Sequence, residues 1–157
     1  MQPLGDERPQ AVAYDKKESA TWTGLSMKKI RVLIVDEHVA VRRALAARLS
    51  AFGHVDVVAT AGDFHNGQKL ARDLHPDVIL LELKGASKLQ SDPVGEMTRA
   101  LSGHPAGIIV LTSYADGAER EAAFEAGARR YLLKQIDTAR LLHEIETVAT
   151  EASGAVN

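Results

Sequence analysis

The sequence predicts a doubly wound α/β domain, in which helices cover both faces of a parallel sheet. Short apolar runs alternate along the chain with segments of helical periodicity, which is the order that a parallel sheet with right-handed crossovers requires. The most hydrophobic run, Asp77 to Leu83, places four consecutive apolar residues before a lone carboxylate. Such a run is typical of a central strand buried on both faces. Because open α/β sheets build their sites at the carboxyl ends of strands, Glu82 is the first candidate for function.

Two strand–helix pairs precede this central strand. Ile30 to Val35 is a near-continuous apolar run, which predicts a buried strand followed directly by two acids. Apolar residues at helical spacing from Val39 to Phe52 predict the first helix. Val55 to Thr60 predicts a weaker strand, and Asp63 to Leu74 predicts a second helix.

The alternation continues after the central strand. Ser113, with Asp116 three residues on, predicts a capped start for the fourth helix, and Asp137 can cap the last one. In order, the predicted elements are a loop over Lys84 to Pro93, a helix over Val94 to Leu101, a strand over Gly107 to Thr112, an alanine-rich helix that runs to Ala126 and stops at Gly127, a strand over Arg130 to Leu133, and a helix from Asp137 to about Thr150.

The two ends of the chain lack this pattern. Residues 1–27 are polar and unpatterned, with prolines, glycines and scattered charges. Such a segment cannot bury enough apolar surface to offset the entropy lost on ordering, so we expect a disordered tail. The predicted domain spans residues 28–150, and residues 151–157 form a short tail.

The composition limits the classes of function. The chain has 157 residues, a formal net charge of −2 and no cysteine. This charge provides no basic surface for nucleic acid, and the lack of thiols excludes disulfides, thiolate metal sites and a cysteine nucleophile. No apolar run reaches the roughly 20 residues of a membrane span, and the N-terminus has no secretory pattern. We therefore expect a cytoplasmic protein that binds neither membranes nor nucleic acid directly.

Polar side chains are predicted to converge where the strands end. Asp36 and Glu37 follow the first strand and Glu82 lies at the end of the third. Thr112 ends the fourth strand and Lys134 follows the fifth. Crowded carboxylates need a cation beside them, and hard oxygen ligands suit Mg²⁺. A hydroxyl and an ammonium group beside them suit the oxygens of a phosphoryl group.

Four segments in this order resemble the receiver domain of response regulators, the phospho-accepting module of two-component signalling. They are Val-Leu-Ile-Val-Asp-Glu-His (32–38), Pro-Asp-Val-Ile-Leu-Leu-Glu-Leu (76–83), Ile-Val-Leu-Thr-Ser (109–113) and Gly-Ala-Arg-Arg-Tyr-Leu-Leu-Lys (127–134). The last segment most resembles receivers joined to a helix-turn-helix DNA-binding output. The resemblance covers most of the chain and implies a flavodoxin-like fold, a doubly wound sheet of five parallel strands in the order 2-1-3-4-5 with five helices.

The resemblance also implies a metal site and an acceptor. Asp36 and Glu37 match the metal-binding acidic pair, and Glu82 stands at the phosphoacceptor position. An Mg²⁺ ion held by these three carboxylates is the implied cofactor, and a histidine kinase or another signalling protein is the implied partner. A simpler reading is that Asp36 and Glu37 only cap the helix that follows them.

Three further residues match positions around the phosphoryl group. Thr112 matches the hydroxyl that contacts it, Lys134 the lysine that pairs with it, and Tyr131 the aromatic residue that turns inward when the site is occupied. Each has a plain structural alternative: a hydroxyl that satisfies local backbone, a lysine exposed at a strand end, and a half-buried aromatic on an edge strand. The six histidines show no ligand spacing, so we expect them at the surface; His38, beside the acidic pair, could tune it.

This chain departs from the family pattern where the chemistry would occur. The acceptor position holds Glu82 instead of Asp, and its extra methylene moves the carboxylate in a site that needs positions correct to about half an ångström. We expect that carboxylate to reach toward Thr112 and Lys134. The loop after it lacks the usual Met-Pro, Arg130 replaces a more usual Gly, and Gln135 stands where Pro is common.

The predicted function is therefore that of an atypical receiver without enzymatic activity, which signals through protein contacts and not through aspartate phosphorylation. Pairing of Glu82 with Lys134 could fix an active-like state, or the domain could be locked as a docking surface. The helix from Ala115 to Ala126 and the helix from Asp137 onward are candidate contact surfaces, for a partner or for a second copy. The alternatives are a competent receiver with another acceptor such as Asp36, a DNA-binding regulator, and a small nucleotide-binding enzyme, which the lack of a Gly-rich loop after the first strand disfavours.

One surface expectation concerns the first helix. Its three arginines, Arg42, Arg43 and Arg48, are predicted to form a solvated basic face on the side opposite the apolar residues.

Overall fold

The computed structural model describes residues 28–84 and 92–152, and these form one five-stranded parallel sheet in the order β2-β1-β3-β4-β5. The fold class, the strand order and the five helices predicted from the sequence are confirmed. The strands are β1 Ile30–Val35, β2 Val55–Ala61, β3 Val78–Leu81, β4 Gly107–Thr112 and β5 Arg130–Leu133. The helices, numbered here in chain order, are α1 Val39–Ser50, α2 Phe64–Leu74, α3 Pro93–Ala100, α4 Gly117–Glu125 and α5 Thr138–Ala152.

Parts of the predicted organisation lie outside the described residues. These are the expected N-terminal tail over residues 1–27, most of the loop after Lys84, and residues 153–157. None of the described helices is long and apolar enough to cross a membrane.

The sheet separates two hydrophobic cores, because neighbouring residues of a strand point to opposite faces. On β1, Leu33 and Val35 join the core that also contains residues of α2, α3 and α4. Val32 and Ile34, which alternate with them, join the core formed with α1 and α5. Every residue of β3 and β4 is buried, as expected for the central strands of a sheet covered on both faces.

Three predicted helix ends are wrong by a few residues. The cap of α4 is Asp116, whose carboxylate accepts the amide of Glu119 at 2.9 Å, so Ser113 does not start that helix. Helix α3 begins at Pro93, inside the predicted loop, because Asp92 caps it and a proline at the first helical position needs no hydrogen-bond partner.

The last helix extends into the predicted C-terminal tail and ends at Ala152. An ion-pair network explains this extension. Arg130, which stands where the family more usually has Gly, contacts Glu144 at 2.7 Å and Glu151 at 3.1 Å. These contacts attach the end of α5 to the edge strand β5.

The end of α4 agrees with the prediction. Gly127 has a φ of +117°, which closes the helix in a conformation that a side chain would strain.

The prediction that three arginines form a solvated face of α1 is wrong for two of them. Arg48 is half-buried and its guanidinium donates to the Thr138 hydroxyl at 2.8 Å and to the Ile136 carbonyl at 3.2 Å, which joins α1 to the start of α5. Arg42 is also half-buried and reaches the carboxyl edge of the sheet. Only Arg43 is exposed as expected.

Candidate functional site

Three charged residues occupy the position just past the ends of three strands. The backbone places each of them by continuing the sheet hydrogen bonds by one residue. The amide of Asp36 donates to the Ala61 carbonyl at 3.0 Å, and the amide of Glu82 donates to the Val35 carbonyl at 3.0 Å. The amide of Lys134 donates to the carbonyl of Thr112 at 2.8 Å. Asp36, Glu82 and Lys134 therefore meet at one edge because the parallel strands that carry them end there.

These three side chains form a buried ion triad. The Lys134 Nζ lies 2.6 Å from Glu82 Oε1 and 2.8 Å from Asp36 Oδ2. The side chains of Asp36, Glu82 and Lys134 are 3%, 4% and 11% exposed. Both contacts are short ion pairs, although neither is aligned as a hydrogen bond at Nζ. The structure thus gives Lys134 the contact with Glu82 that the sequence predicted.

The triad keeps its lysine charged. Burial alone would lower the pKa of the Lys134 ammonium group, but its contacts with the Asp36 and Glu82 carboxylates outweigh that effect and raise the pKa above its usual value. One ammonium group therefore lies between two carboxylates, and its single positive charge balances only part of their negative charge.

The remaining carboxylate oxygens also have partners. Glu82 Oε2 accepts the backbone amide of Lys84 at 2.5 Å. Asp36 Oδ1 accepts the backbone amide of His38 at 2.8 Å and lies 2.9 Å from His38 Nδ1. Each of the four oxygens of these two buried carboxylates is thus held by a lysine, an imidazole or a backbone amide.

Arg42 supports the end of β1, a role that the sequence reasoning missed. Its guanidinium donates to the backbone carbonyl of Asp36 at 2.8 Å. It passes so close to Gly62, at the end of β2, that a Cβ there would lie 2.8 Å from its Nη1. This role could have been predicted from the position of Arg42, because an arginine in the first turn of a helix lies near the end of the strand that precedes the helix.

The Thr112 hydroxyl is engaged within its own loop. It donates to the Tyr114 carbonyl at 3.0 Å and accepts the Tyr114 amide at 3.3 Å. Thr112 is buried at the end of β4, the strand between those that precede Glu82 and Lys134. Its hydroxyl nevertheless bonds the backbone of its own turn.

The Tyr131 ring is half-buried and its hydroxyl is held by the first turn of α4. It donates to the Glu119 carboxylate at 2.5 Å and accepts the amide of Asp116 at 3.2 Å. Burial first, and then the bond to Glu119, raise the pKa of the Tyr131 hydroxyl. The ring is therefore anchored to α4 and not to the Thr112 turn.

Among the described residues, the group of side chains that could ligate a metal shares Asp36 and Glu82 with the predicted set. Asp36, His38 and Glu82 each offer a ligand atom within 4.8 Å of the others. Glu37 is not in this group, and its side chain is 38% exposed. One oxygen of Asp36 and one of Glu82 already contact Lys134, so the two carboxylates share a protein cation. A divalent ion bound by these carboxylates would compete with the lysine.

Comparison with known proteins agrees with the resemblance seen in the sequence. The model of the response regulator receiver domain matches residues 32–146. The transcriptional regulatory protein LiaR of Bacillus subtilis is 38% identical over 120 residues, which cover 76% of this chain and 56% of LiaR. The nitrate/nitrite response regulator protein NarP of Escherichia coli is 40% identical over 121 residues, which cover 76% of this chain and 54% of NarP. The chain thus spans about half the length of these relatives.

A solved structure supports the fold. The signal receiver domain of the response regulator NarL from Mycobacterium tuberculosis superimposes with a TM-score of 0.70 at 24% identity, covering 78% of this chain and 98% of that domain.

Proposed function

This chain belongs to the response regulator receiver family, and on that premise we propose that it is an atypical receiver that signals through protein contacts without conventional phosphorylation at position 82. Receivers of this family are typically non-enzymatic signalling domains that interact with histidine kinases, and they commonly bind Mg²⁺ in an acidic pocket. What sets this chain apart is Glu82.

The observation that carries the proposal is the ion triad. A phosphoacceptor must present a carboxylate oxygen to an incoming phosphoryl group, with this attacking oxygen in line with the donor's leaving atom. Both oxygens of Glu82 are engaged, one with Lys134 at 2.6 Å and the other with the Lys84 amide at 2.5 Å. We infer that the longer glutamate side chain, with its carboxylate 2.6 Å from the lysine, takes up space that a phosphoryl group would need.

The same triad favours a site that works without metal. The Lys134 ammonium group already gives Asp36 and Glu82 a cation in contact, at 2.8 and 2.6 Å. An Mg²⁺ ion would have to displace this cation from a region where all three side chains are nearly inaccessible. We therefore expect no calorimetric signal for Mg²⁺ at millimolar concentration with the wild-type protein.

Between the two states left open by the sequence, the geometry favours a locked domain over an active-like one. The contact of Glu82 with Lys134 at 2.6 Å is the one expected to fix an active-like state, and taken alone it favours that state. An active-like state also needs the hydroxyl of Thr112 at the acidic site and Tyr131 turned toward it. Here Thr112 bonds its own turn and Tyr131 bonds Glu119 on α4.

The contact surface proposed for the partner includes α4 and β5. Three of the four exposed large hydrophobic side chains among the described residues lie on or just before these elements: Tyr114, in the loop before α4, is 66% exposed, Leu133 of β5 42% and Phe124 of α4 36%. A signalling protein or a second copy of the chain could cover them, and we place this contact in the cytoplasm.

The test is intact-mass spectrometry after incubation with a small phosphodonor and Mg²⁺, with the wild type beside Glu82→Asp. We expect only the variant to gain a phosphoryl group, because aspartate withdraws the carboxylate from Lys134 and reopens the acceptor geometry. Labelling of the wild type would overturn the proposal, and the acceptor, Asp36 for example, would then be mapped. Labelling of neither protein would leave the domain an interaction module whose defect extends beyond position 82.

A second candidate function is that of the receiver part of a transcriptional regulator. It is favoured by the relatives, since LiaR is named a transcriptional regulatory protein and is about twice as long as the matched region. With a net charge of −2, this chain by itself is expected to leave duplex DNA unshifted in a gel at low salt. A shift at micromolar protein would show DNA contacts within the chain itself.

A further inference from the structure

A second polar cavity lies at the end of the sheet opposite the ion triad. It opens between the C-terminal ends of α2 and α3 and has a volume of about 420 Å³. That volume is in the range of about 300–1,000 Å³ that small-molecule sites occupy. Its polar lining consists of Arg72, His75, Arg99, Ser102 and His104.

The lining is rich in donors and contains no acidic residue. Arg72 is exposed and has no hydrogen bond or ion pair within the described part of the chain. Arg99 contacts Glu96 at 3.0 Å and Asp92 at 3.6 Å, so its charge is already paired with acids outside the lining. At least one full positive charge therefore remains uncompensated at the mouth of the cavity.

Helix C-termini alone would repel an anion, because their last carbonyls carry partial negative charge. Here those carbonyls are already bound. At the end of α2, the Arg31 guanidinium donates to the carbonyls of Leu74 and His75. At the end of α3, the amide of Leu101 donates to the Thr98 carbonyl at 3.1 Å and the amide of His104 to the Leu101 carbonyl at 2.8 Å. Arg31 thus already supplies a positive charge at the end of α2, and the carbonyls named at the end of α3 are bound by backbone amides.

A pair of stacked imidazoles shapes the cavity. His75 has a φ of +51° and is the only residue other than glycine with a positive φ in the described ranges 28–84 and 92–152. This left-handed conformation at the end of α2 brings its ring onto that of His104, with centroids 3.6 Å apart and planes at 30°. The stack joins the two walls of the cavity. The sequence predicted both histidines at the surface because the histidines show no ligand spacing, and it gave no sign of the stack.

We propose that this cavity binds a small organic phosphate. Guanidinium groups match phosphate oxygens in charge and geometry, and the Ser102 hydroxyl and the imidazole N–H groups add neutral donors. The apolar part of the lining, Ala71, Ala100 and Leu101, offers a surface for the remainder of the ligand. This site is independent of Glu82 and of the proposed receiver function.

The test is an NMR titration of the full chain, labelled with ¹⁵N, using inorganic phosphate and adenosine monophosphate as probes at low salt. We expect saturable shifts of amides at 71–75 and 99–104, with adenosine monophosphate the tighter probe. Arg72→Gln should weaken the affinity by roughly fivefold or more. The matched control is Arg43→Gln, which removes an exposed arginine on α1 and should change the affinity by less than about twofold.

Three results would overturn the proposal. They are shifts that fail to saturate by about 10 mM probe, equal losses for Arg72→Gln and Arg43→Gln, and binding of inorganic phosphate without binding of adenosine monophosphate. Ser102→Ala keeps the charge and should still weaken binding by about twofold, since it deletes one neutral donor. An unchanged affinity in both the Arg72 and Ser102 variants would place the ligand elsewhere.

Discussion

The Glu82 carboxylate and the Lys134 ammonium group lie 2.6 Å apart, with side chains that are 4% and 11% exposed. Asp36 shares the same lysine from 2.8 Å, so one cation serves two buried carboxylates. In a surface ion pair, water would replace a lost partner at little cost. In this triad, water has little access, so the loss of the lysine leaves two carboxylates without a cation inside the protein.

Replacement of Lys134 by methionine should therefore destabilise the domain strongly. The change leaves Asp36 and Glu82 adjacent without a cation, and we expect the free energy of unfolding to fall by about 3–5 kcal/mol. Urea denaturation measures this loss. Lys69→Met removes a lysine from an exposed ion pair with Asp73 and should cost less than about 1 kcal/mol. Adding Glu82→Gln to Lys134→Met should recover part of the stability; no recovery would contradict the charge argument.

Stability at alkaline pH should depend on the same lysine. Burial tends to lower the pKa of Lys134, but Asp36 and Glu82 raise it overall. A group whose pKa is raised by folding contributes its full stabilisation of the folded state at pH values below its unfolded pKa, which is about 10.4 for lysine. That contribution is lost as the pH rises through the pKa of the folded state. The free energy of unfolding of the wild type should therefore fall above about pH 10.

Comparison with Tyr131→Phe separates the two contributors to this alkaline loss. The Tyr131 pKa is also raised, by burial and by its bond to Glu119, so its contribution has the same sign. Above about pH 10, Lys134→Met and Tyr131→Phe should each lose less free energy of unfolding than the wild type does. Urea denaturation at a series of pH values measures this loss. If both slopes match that of the wild type, other groups govern alkaline unfolding.

Tyr131→Phe should also cost stability at neutral pH. It deletes the bond to the Glu119 carboxylate at 2.5 Å and leaves the Asp116 amide without its acceptor. We expect a loss of about 1–2 kcal/mol in chemical denaturation. Tyr114 is 66% exposed, so Tyr114→Phe serves as the control, with an expected change within about 0.5 kcal/mol. Equal effects of the two changes would show that the Tyr131 hydroxyl bonds contribute nothing.

Gly107 should tolerate no side chain, because a Cβ at the start of β4 would overlap Cγ1 of the fully buried Val148 on α5. Valine has few rotamers with which to yield, so we expect Gly107→Ala to cost about 1–3 kcal/mol in thermal or urea unfolding. The double variant with Val148→Ala should be more stable than the sum of the two losses predicts. Gly53→Ala, where a Cβ meets nothing within 4 Å, is the control. Additive losses at positions 107 and 148 would disprove the clash.

The fold and the position of the site could be predicted because they depend on local sequence patterns. Continuous apolar runs such as 78–81 mark buried parallel strands, and a charged residue directly after such a run must lie at the carboxyl edge. Asp36, Glu82 and Lys134 were therefore predictable neighbours. Helix starts were less predictable, since Ser113 and Asp116 are both capping residues and only the backbone selects one.

The sequence by itself determined the class of the fold, the order of its elements and the residue types at the edge of the sheet, because periodicity and chain order carry that information. The tertiary structure decided which atoms meet. It assigned Lys134 to both Asp36 and Glu82, turned Arg42 toward the backbone of β1, and stacked His75 on His104. The lysine contacts and the histidine stack join side chains far apart in the chain. Their partners depend on how helices pack on the sheet to within a fraction of an ångström, which no local pattern specifies.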